Sequence, residues 1–173
     1  MKLEGKNIYL RPIEFNDSNG NYPHWFNDPI VCKYNSHGDY LYTKQMAIDY
    51  IKMIEASNID EVYAICDKKT NNHIGNIALH NISQKNRCAE FAILIGEISF
   101  MGQGIGKEAV EIIIDYAFNI LKFHRVYCGV SQHNVAMQKL VLNLRMKQEG
   151  VLVDAMIKND QYADIYLYAI INN

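Results

Sequence analysis

Three glycines at alternate positions, Gly102, Gly104 and Gly106, end one apolar run and open another, and this spacing can hold a phosphate. In such a turn successive backbone N–H groups point outward together at a helix N-terminus, where the helix dipole adds positive potential. The chemistry implied is capture of a phosphate or pyrophosphate. A Walker A loop needs GxxxxGK[ST], but Gly106-Lys107 is followed by Glu108 and the leading glycine position holds Met101. A kinase-type GxGxxG needs glycine at 107 or 109, where Lys107 and Ala109 stand. The Rossmann variant GxGxxA is met by Gly104, Gly106 and Ala109. Against it, several strands precede the turn rather than one, and no acidic residue closes the next strand, RVYCGVS, to hold a ribose.

The elements that must present this turn are legible on both sides of it. CAEFAILIG (88–96) reads as a strand entering the turn, and a helix leaves it, running to about Lys122. EVYAICD (61–67) and HIGNIALHNI (73–82) are two further strands, and the short polar turns between the three predict an antiparallel meander. NIYLRPI (7–13) alternates and predicts a first strand. NDSNGN (16–21) is a loop, and YPHWFNDPIVCKY (22–34), broken by Pro23 and Pro29, is a turn of helix with irregular chain. Thr43 is placed to cap a helix running to about Ser57, with Met46, Ile48, Ile51 and Ile54 near one face. RVYCGVS (125–131) is a strand, Asn134 caps a helix across 135–145, and the remainder folds back as a hairpin turning at about Lys158–Gln161. The expected class is α/β (α+β), a mixed, mostly antiparallel sheet of about seven strands flanked by helices. A single domain over 1–173 is expected to hold it.

Bulk properties narrow the partners. The 173 residues are 49% apolar and 21% charged with a net charge of -2, which describes a globular chain able to bury a core. An isoelectric point near 6.3 gives no ground for broad nucleic-acid binding. No apolar run approaches the roughly 20 residues that span a bilayer, and the opening MKLEGKNIYL lacks a signal-peptide core. The expectation is a cytoplasmic protein with no membrane and no nucleic-acid partner. Cys32, Cys66, Cys88 and Cys128 stand singly, without zinc spacing, and read as reduced thiols. His24, His37 and His80 lack metal spacing too, so no metal is expected. The 12 tyrosines suit strand and helix surfaces with a wet hydroxyl, or the lining of a cleft.

The remaining phosphate reading is the pyrophosphate of coenzyme A. MGQGIG (101–106) resembles the [QR]-x-x-G-x-[GA] signature of the GNAT acyltransferases, matching at Gly104 and Gly106 and departing at Met101. The resemblance extends over NIYLRPIEFND, WFNDPIV, AEFAILIG, the Asn134 helix, EGVL (149–152) and KNDQYADIYLYAI. These segments look like the branch holding ribosomal-protein N-terminal, spermidine and amino-sugar N-acetyltransferases. The resemblance implies the GNAT fold, acetyl-CoA as co-substrate and transfer of an acetyl group to an amine.

That reaction needs the thioester held, its carbonyl polarised, the amine deprotonated and the thiolate released. In the family the strand before the turn splays from its neighbour and pairs with the pantetheine arm. By resemblance this falls to Ile93, Leu94 and Ile95, with the Leu94 or Ile95 N–H facing the thioester oxygen. The pyrophosphate falls to Met101, Gly102, Gln103, Gly104, Ile105, Gly106 and Lys107. Glu90 lies 14 residues ahead of Gly104, where histone acetyltransferases carry a general base. A primary amine arrives largely protonated, and a carboxylate in a cleft can hold the cation and relay its proton. Glu90 also reads as an exposed strand residue or a partner of Arg87 or Lys85, and Glu97 is a second candidate. Many family members carry a tyrosine seven residues after the asparagine cap to protonate the thiolate. Here that position is Val141, and the usual following Gly-Phe is Arg145-Met146. The thiolate can instead take a proton from water. By resemblance Asn134 is placed to touch the pantetheine or to polarise this region as a catalytic residue, and it also caps its helix.

The acceptor pocket is expected from the first third of the chain: Trp25, Asn27, Asp28, Tyr34 and His37, with His24 and Tyr40 nearby and His80 from a central strand. This mix of aromatics, imidazoles and one acid suits a small-molecule amine, first a nucleotide-linked amino sugar, then a polyamine, then a protein N-terminus. A polyamine site calls for a strongly acidic groove, and the 16–40 segment holds only Asp17, Asp28 and Asp39. The competing class is a non-catalytic CoA-binding module, which Met101 and Val141 favour. A monomer or homodimer is expected by family analogy.

Overall fold

The computed structural model describes residues 1–172. Eight strands form one sheet: β1 (Leu3–Glu4), β2 (Ile8–Pro12), β3 (Glu61–Asp67), β4 (His73–Ser83), β5 (Cys88–Ile95), β6 (Arg125–Ser131), β7 (Lys147–Lys158) and β8 (Gln161–Ile171). Their order is β1-β2-β3-β4-β5-β6-β8-β7. The sheet is mixed and mostly antiparallel as expected, with eight strands where about seven were read. β1 is two residues long and pairs with β2 through Leu3↔Leu10 and Glu4↔Tyr9, too short to leave a periodic signal. Every neighbouring pair is antiparallel except β5 with β6. A parallel pair needs a crossover, and the helix after the glycine turn supplies it.

Four helices flank the sheet: α1 (Tyr22–Trp25), α2 (Lys44–Ala56), α3 (Ile105–Asp115) and α4 (Val135–Asn143). Thr43 Oγ1 accepts from the Met46 N–H at the head of α2, as its position predicts. α3 buries Ile105, Ala109, Val110, Ile113 and Ile114, a stripe at helical spacing. Its regular turns stop at Asp115, and one π-helical turn, Tyr116–Ile120, completes the run expected to reach Lys122. The β7–β8 hairpin turns at Asn159 and Asp160, with φ of 51° and 58°, the left-handed pair that a two-residue hairpin loop demands.

The two sheet faces bury different clusters. Ile65, Ile77, Leu79, Phe91, Val126 and Tyr168 join α3 and Val141 of α4 in the larger core. Val62 and Ala78 face the other way, against Tyr22 and Trp25 of α1 and Ala47, Ile51 and Ile54 of α2. Because strand side chains alternate, Asn76, Ala78 and His80 of β4 and Glu90, Ala92 and Leu94 of β5 share the α1–α2 face. Each fully buried aliphatic side chain contributes about 1.5–3 kcal/mol, so this alternation fixes the register firmly.

Candidate active site

The β5–β6 ladder is short. Cys88↔Arg125, Ala89↔Val126 and Glu90↔Tyr127 pair, and beyond them β5 runs on to Ile95 and β6 to Ser131 without pairing to each other. A seam therefore opens between two strands of the sheet. On its other edge β5 stays in unbroken register with β4 from His80↔Glu90 to Gly75↔Ile95. The Gly96 N–H donates to Ile74 O at 2.9 Å, which sets the alternation. Glu90, Ala92 and Leu94 bond toward β4, and the backbone groups of Phe91, Ile93 and Ile95 face the seam. Of the two N–H groups expected to face a thioester, that of Ile95 points there and that of Leu94 belongs to the ladder.

The seam leads to the glycine turn. Gly102 and Gly104 have φ of 73° and 82°, and nothing lies within 4 Å of where a Cβ would stand on either. Gly104 precedes α3, and its carbonyl accepts from the Glu108 N–H at 3.0 Å. Among the described residues, the N–H groups of Gly102 through Lys107 have no protein acceptor. A run of free donors at the head of a helix, bordered by open space, fits the pyrophosphate of acetyl-CoA. The Met101 side chain packs toward the α1–α2 cluster, so the first signature position serves packing. The Gln103 amide donates back to Ser99 O. Lys107 pairs with Glu111 at 3.6 Å on the exposed face of α3. α4 lies against the turn, with Leu140 Cδ1 3.6 Å from the position of a Gly106 Cβ. Asn134 Oδ1 caps α4, accepting from the Met137 N–H at 3.1 Å. Val141 is fully buried in the larger core, so no side chain at that position protonates a thiolate.

On the α1–α2 face a cavity of about 430 Å³ opens against the same strand. Asn76, Ala78 and His80 of β4 and Ala92, Ile93 and Leu94 of β5 form its floor. Tyr22 and Phe26 around α1, Met46 and Tyr50 of α2, and Asn35, His37, Tyr40 and Tyr42 of the connecting segment form its walls and roof. Phe26 is the hub, 4.6 Å from the ring centroids of both His37 and Tyr42. No carboxylate, lysine or arginine lines it. Burial pushes the Tyr50 hydroxyl up to about 12, so it stays a donor. Burial also lowers the His37 imidazole, and nearby Lys158 adds to the effect. Lys158 of the β7–β8 hairpin straps this segment down, donating to His37 O and pairing with Asp39 at 3.1 Å.

Of the residues expected around the acceptor, His37, His80 and Tyr40 line this cavity. Trp25, Asn27, Asp28 and Tyr34 do not, and three of the four have clear local duties. The Trp25 ring is buried directly over Gly96 and its indole N–H donates to Glu97 Oε1 at 3.0 Å. Asn27 exchanges hydrogen bonds with the backbone of Tyr42, at 2.8 Å each way. Asp28 Oδ1 accepts from the N–H groups of Ile30 and Val31. Tyr34 sits half-buried with Lys33 over its ring. His24 and Asn27 border a separate hollow of about 310 Å³ at the head of α2. Glu90 borders the site without lining the cavity, and its Oε2 accepts from the Asn81 amide at 2.9 Å. It pairs with neither Arg87 nor Lys85. Tyr22, Phe26, Asn35, Tyr42, Met46, Tyr50 and Asn76 line the cavity but were not among the expected acceptor residues. Of these, only Asn76 carried a usable signal, its place two residues before Ala78 on the alternating face of a strand.

Comparisons with known proteins agree with this geometry. The family model described as "Acetyltransferase (GNAT) domain" matches residues 7–147. An uncharacterized N-acetyltransferase, p20, of Bacillus licheniformis is 29% identical, over 98% of this chain and 95% of its own. The spermidine N(1)-acetyltransferase of Escherichia coli (strain K12) is 27% identical over 90% of this chain and 81% of its own. The spermidine N-acetyltransferase of Vibrio cholerae, solved in complex with CoA and spermine, shares the fold with a TM-score of 0.87 at 24% identity, over 95% of each chain. The open seam, the donor-rich turn at the head of α3 and the family match converge: this chain belongs to the GNAT acetyltransferases and is an N-acetyltransferase that uses acetyl-CoA.

Proposed function

We propose that the chain acetylates the primary amine of a small, hydroxylated acceptor, first a nucleotide-linked amino sugar, by direct attack in a ternary complex. The cavity carries this reading. It is aromatic, rich in tyrosine hydroxyls and free of carboxylates, and its floor is the strand that borders the seam. Ring faces pack against the C–H face of a sugar while hydroxyl and amide groups take up its oxygens. A polyamine spreads several cations along one chain, and such cations are best met by carboxylates, which these walls lack. The second reading is nevertheless a polyamine, favoured by the spermidine acetyltransferases among the relatives, with ring faces taking the cations.

On the donor side acetyl-CoA supplies the activated acetyl thioester. The free N–H groups of residues 102–107 would hold its pyrophosphate, and the seam-facing Ile93 and Ile95 N–H groups would orient the arm and polarise the carbonyl. Four unpaired cysteines fit a reducing compartment such as the cytoplasm.

The test is a thiol-release assay with mass-spectrometric product analysis. Its acceptors are a nucleotide-linked amino sugar, free hexosamines, spermidine, spermine and a short peptide. The proposal expects one acetyl group added to the amino sugar, with kcat/KM at least about 100-fold above spermidine, a gap of roughly 2.7 kcal/mol. The reverse ranking would make the polyamine the acceptor.

A further inference from the structure

We infer that His80, oriented by Asp60, is the base that takes the proton from the acceptor amine. This rests on the small-amine reading above. His80 stands on the cavity floor, opposite Glu90 in the β4–β5 register. Its Nδ1 lies 2.8 Å from Asp60 Oδ1. That contact makes Nδ1 the protonated nitrogen and leaves Nε2 with a free lone pair, since no protein group among the described residues bonds it. Asp60 is itself held in place, by the Ser57 hydroxyl at 2.9 Å. Burial works against the Asp60 carboxylate, but the His80 and Ser57 hydrogen bonds outweigh it and hold the carboxyl below its ordinary value. A nucleophile's base, positioned by a third group that stabilises its cationic form, is a recurrent catalytic arrangement.

The other groups around His80 do not fit the part as well. Glu90 stands across the strand pair, but its carboxylate is held by Asn81 and does not reach the cavity lining. Asn81 takes a φ of 51° at an irregularity between His80 and Ser83, which turns its amide toward Glu90. Tyr50 of α2 is locked as a donor by burial. His37 lies in the same cavity without a carboxylate partner among the described residues.

The step balances as follows. The acceptor ammonium first gives one proton to solvent; the neutral amine nitrogen then forms a bond to the thioester carbonyl carbon while one of its two remaining N–H protons passes to His80 Nε2. The C–S bond then breaks, the sulfur takes a proton from water, and the imidazolium returns its proton to solvent. His80 is the catalytic residue and Asp60 a positioning residue.

Two measurements test this. Steady-state rates over pH with the best acceptor should fall about 100-fold or more in kcat for His80→Gln. The acid limb of the wild-type kcat/KM profile should vanish in that variant. Added imidazole should restore His80→Gly, while acetyl-CoA affinity stays unchanged in both. Asp60→Asn should lower kcat by a smaller factor. Retained activity in His80→Gln, or a larger loss and flattened profile in Glu90→Gln, would overturn the proposal. The second measurement needs no acceptor. A long-range proton–nitrogen spectrum of the wild-type protein should show neutral His80 protonated at Nδ1, and Asp60→Asn should change that tautomer population. An Nε2–H tautomer would overturn the dyad even if no amine in the panel were acetylated. A panel without turnover and an Nδ1–H tautomer would overturn only the choice of acceptor.

Discussion

Gly104 holds a φ of 82° with open space where a side chain would begin. The conformation costs an L-residue about 1–2 kcal/mol, but a new Cβ meets no protein atom and would project into the open space proposed for the pyrophosphate. Gly104→Val should therefore leave the protein folded and weaken acetyl-CoA binding at least about tenfold, a loss near 1.4 kcal/mol. Titration calorimetry reads this directly, and unchanged affinity would remove the turn from the site. The same scale separates the two kinds of residue that the sequence had grouped together. Asn27 and Asp28 are polar and lie near the cavity, but their side chains bond backbone groups and leave little for a ligand. His80 looked like one pocket residue among several until Asp60, 20 positions earlier, came within 2.8 Å of it. No spacing rule links a residue before one strand to a residue near the end of the next.

Gly96 directly follows the strand that borders the seam, and an added methyl would overlap the Trp25 ring. Gly96→Ala should cost about 1–3 kcal/mol of stability through overpacking. Because the chain has one tryptophan, displacement of the ring would also red-shift its emission. Unchanged thermal unfolding and emission would show that the α1 contact yields freely. At this scale the sequence was mostly legible, and the exceptions have physical causes. β3 and β6 fall at 61–67 and 125–131 as read, because polar turns bound their apolar runs. The α2 and α4 caps, Thr43 and Asn134, act as their positions predicted. The π-helical turn after Asp115 was invisible, since adding one residue to a turn leaves an apolar run such as DYAFNIL looking continuous. The cavity was half-legible. Its floor follows from strand alternation, but its roof depends on how α1, α2 and the segment between them fold over it.

The first strands and the entrance to the sheet's centre are joined by one buried charge cluster. Asp17 accepts from Arg11 of β2 at 2.6 and 2.8 Å, from the Glu14 N–H at 2.8 Å, and faces His73 of β4 at 3.2 Å. Burial opposes its ionisation, but these partners outweigh it and hold the carboxyl well below the usual carboxylate range. A depressed value means that the stabilisation is complete above the unfolded reference of about 3.9 and is lost as pH falls further. Asp17→Asn should lower stability by roughly 3 kcal/mol near neutrality, because it leaves Arg11 unpaired. The wild-type advantage should shrink in acid, as read by denaturant unfolding from pH 7 to 3. A pH-independent difference would count against the ion cluster. Seen whole, the sheet consists of two antiparallel leaves, β1–β5 and β6–β8–β7, stitched by three residue pairs. Every residue lining the cavity precedes position 95, and the donor-rich turn and the helix beside it follow that position. Along the chain, on the proposed reading, the choice of acceptor and most of the grip on the donor are written in separate chapters, with β5 common to both. Lys158 is a second link, a thread sewn from the second leaf to the acceptor segment at His37 and Asp39. A lineage could redraft the first chapter for a new amine and leave the second untouched, provided that it kept this thread.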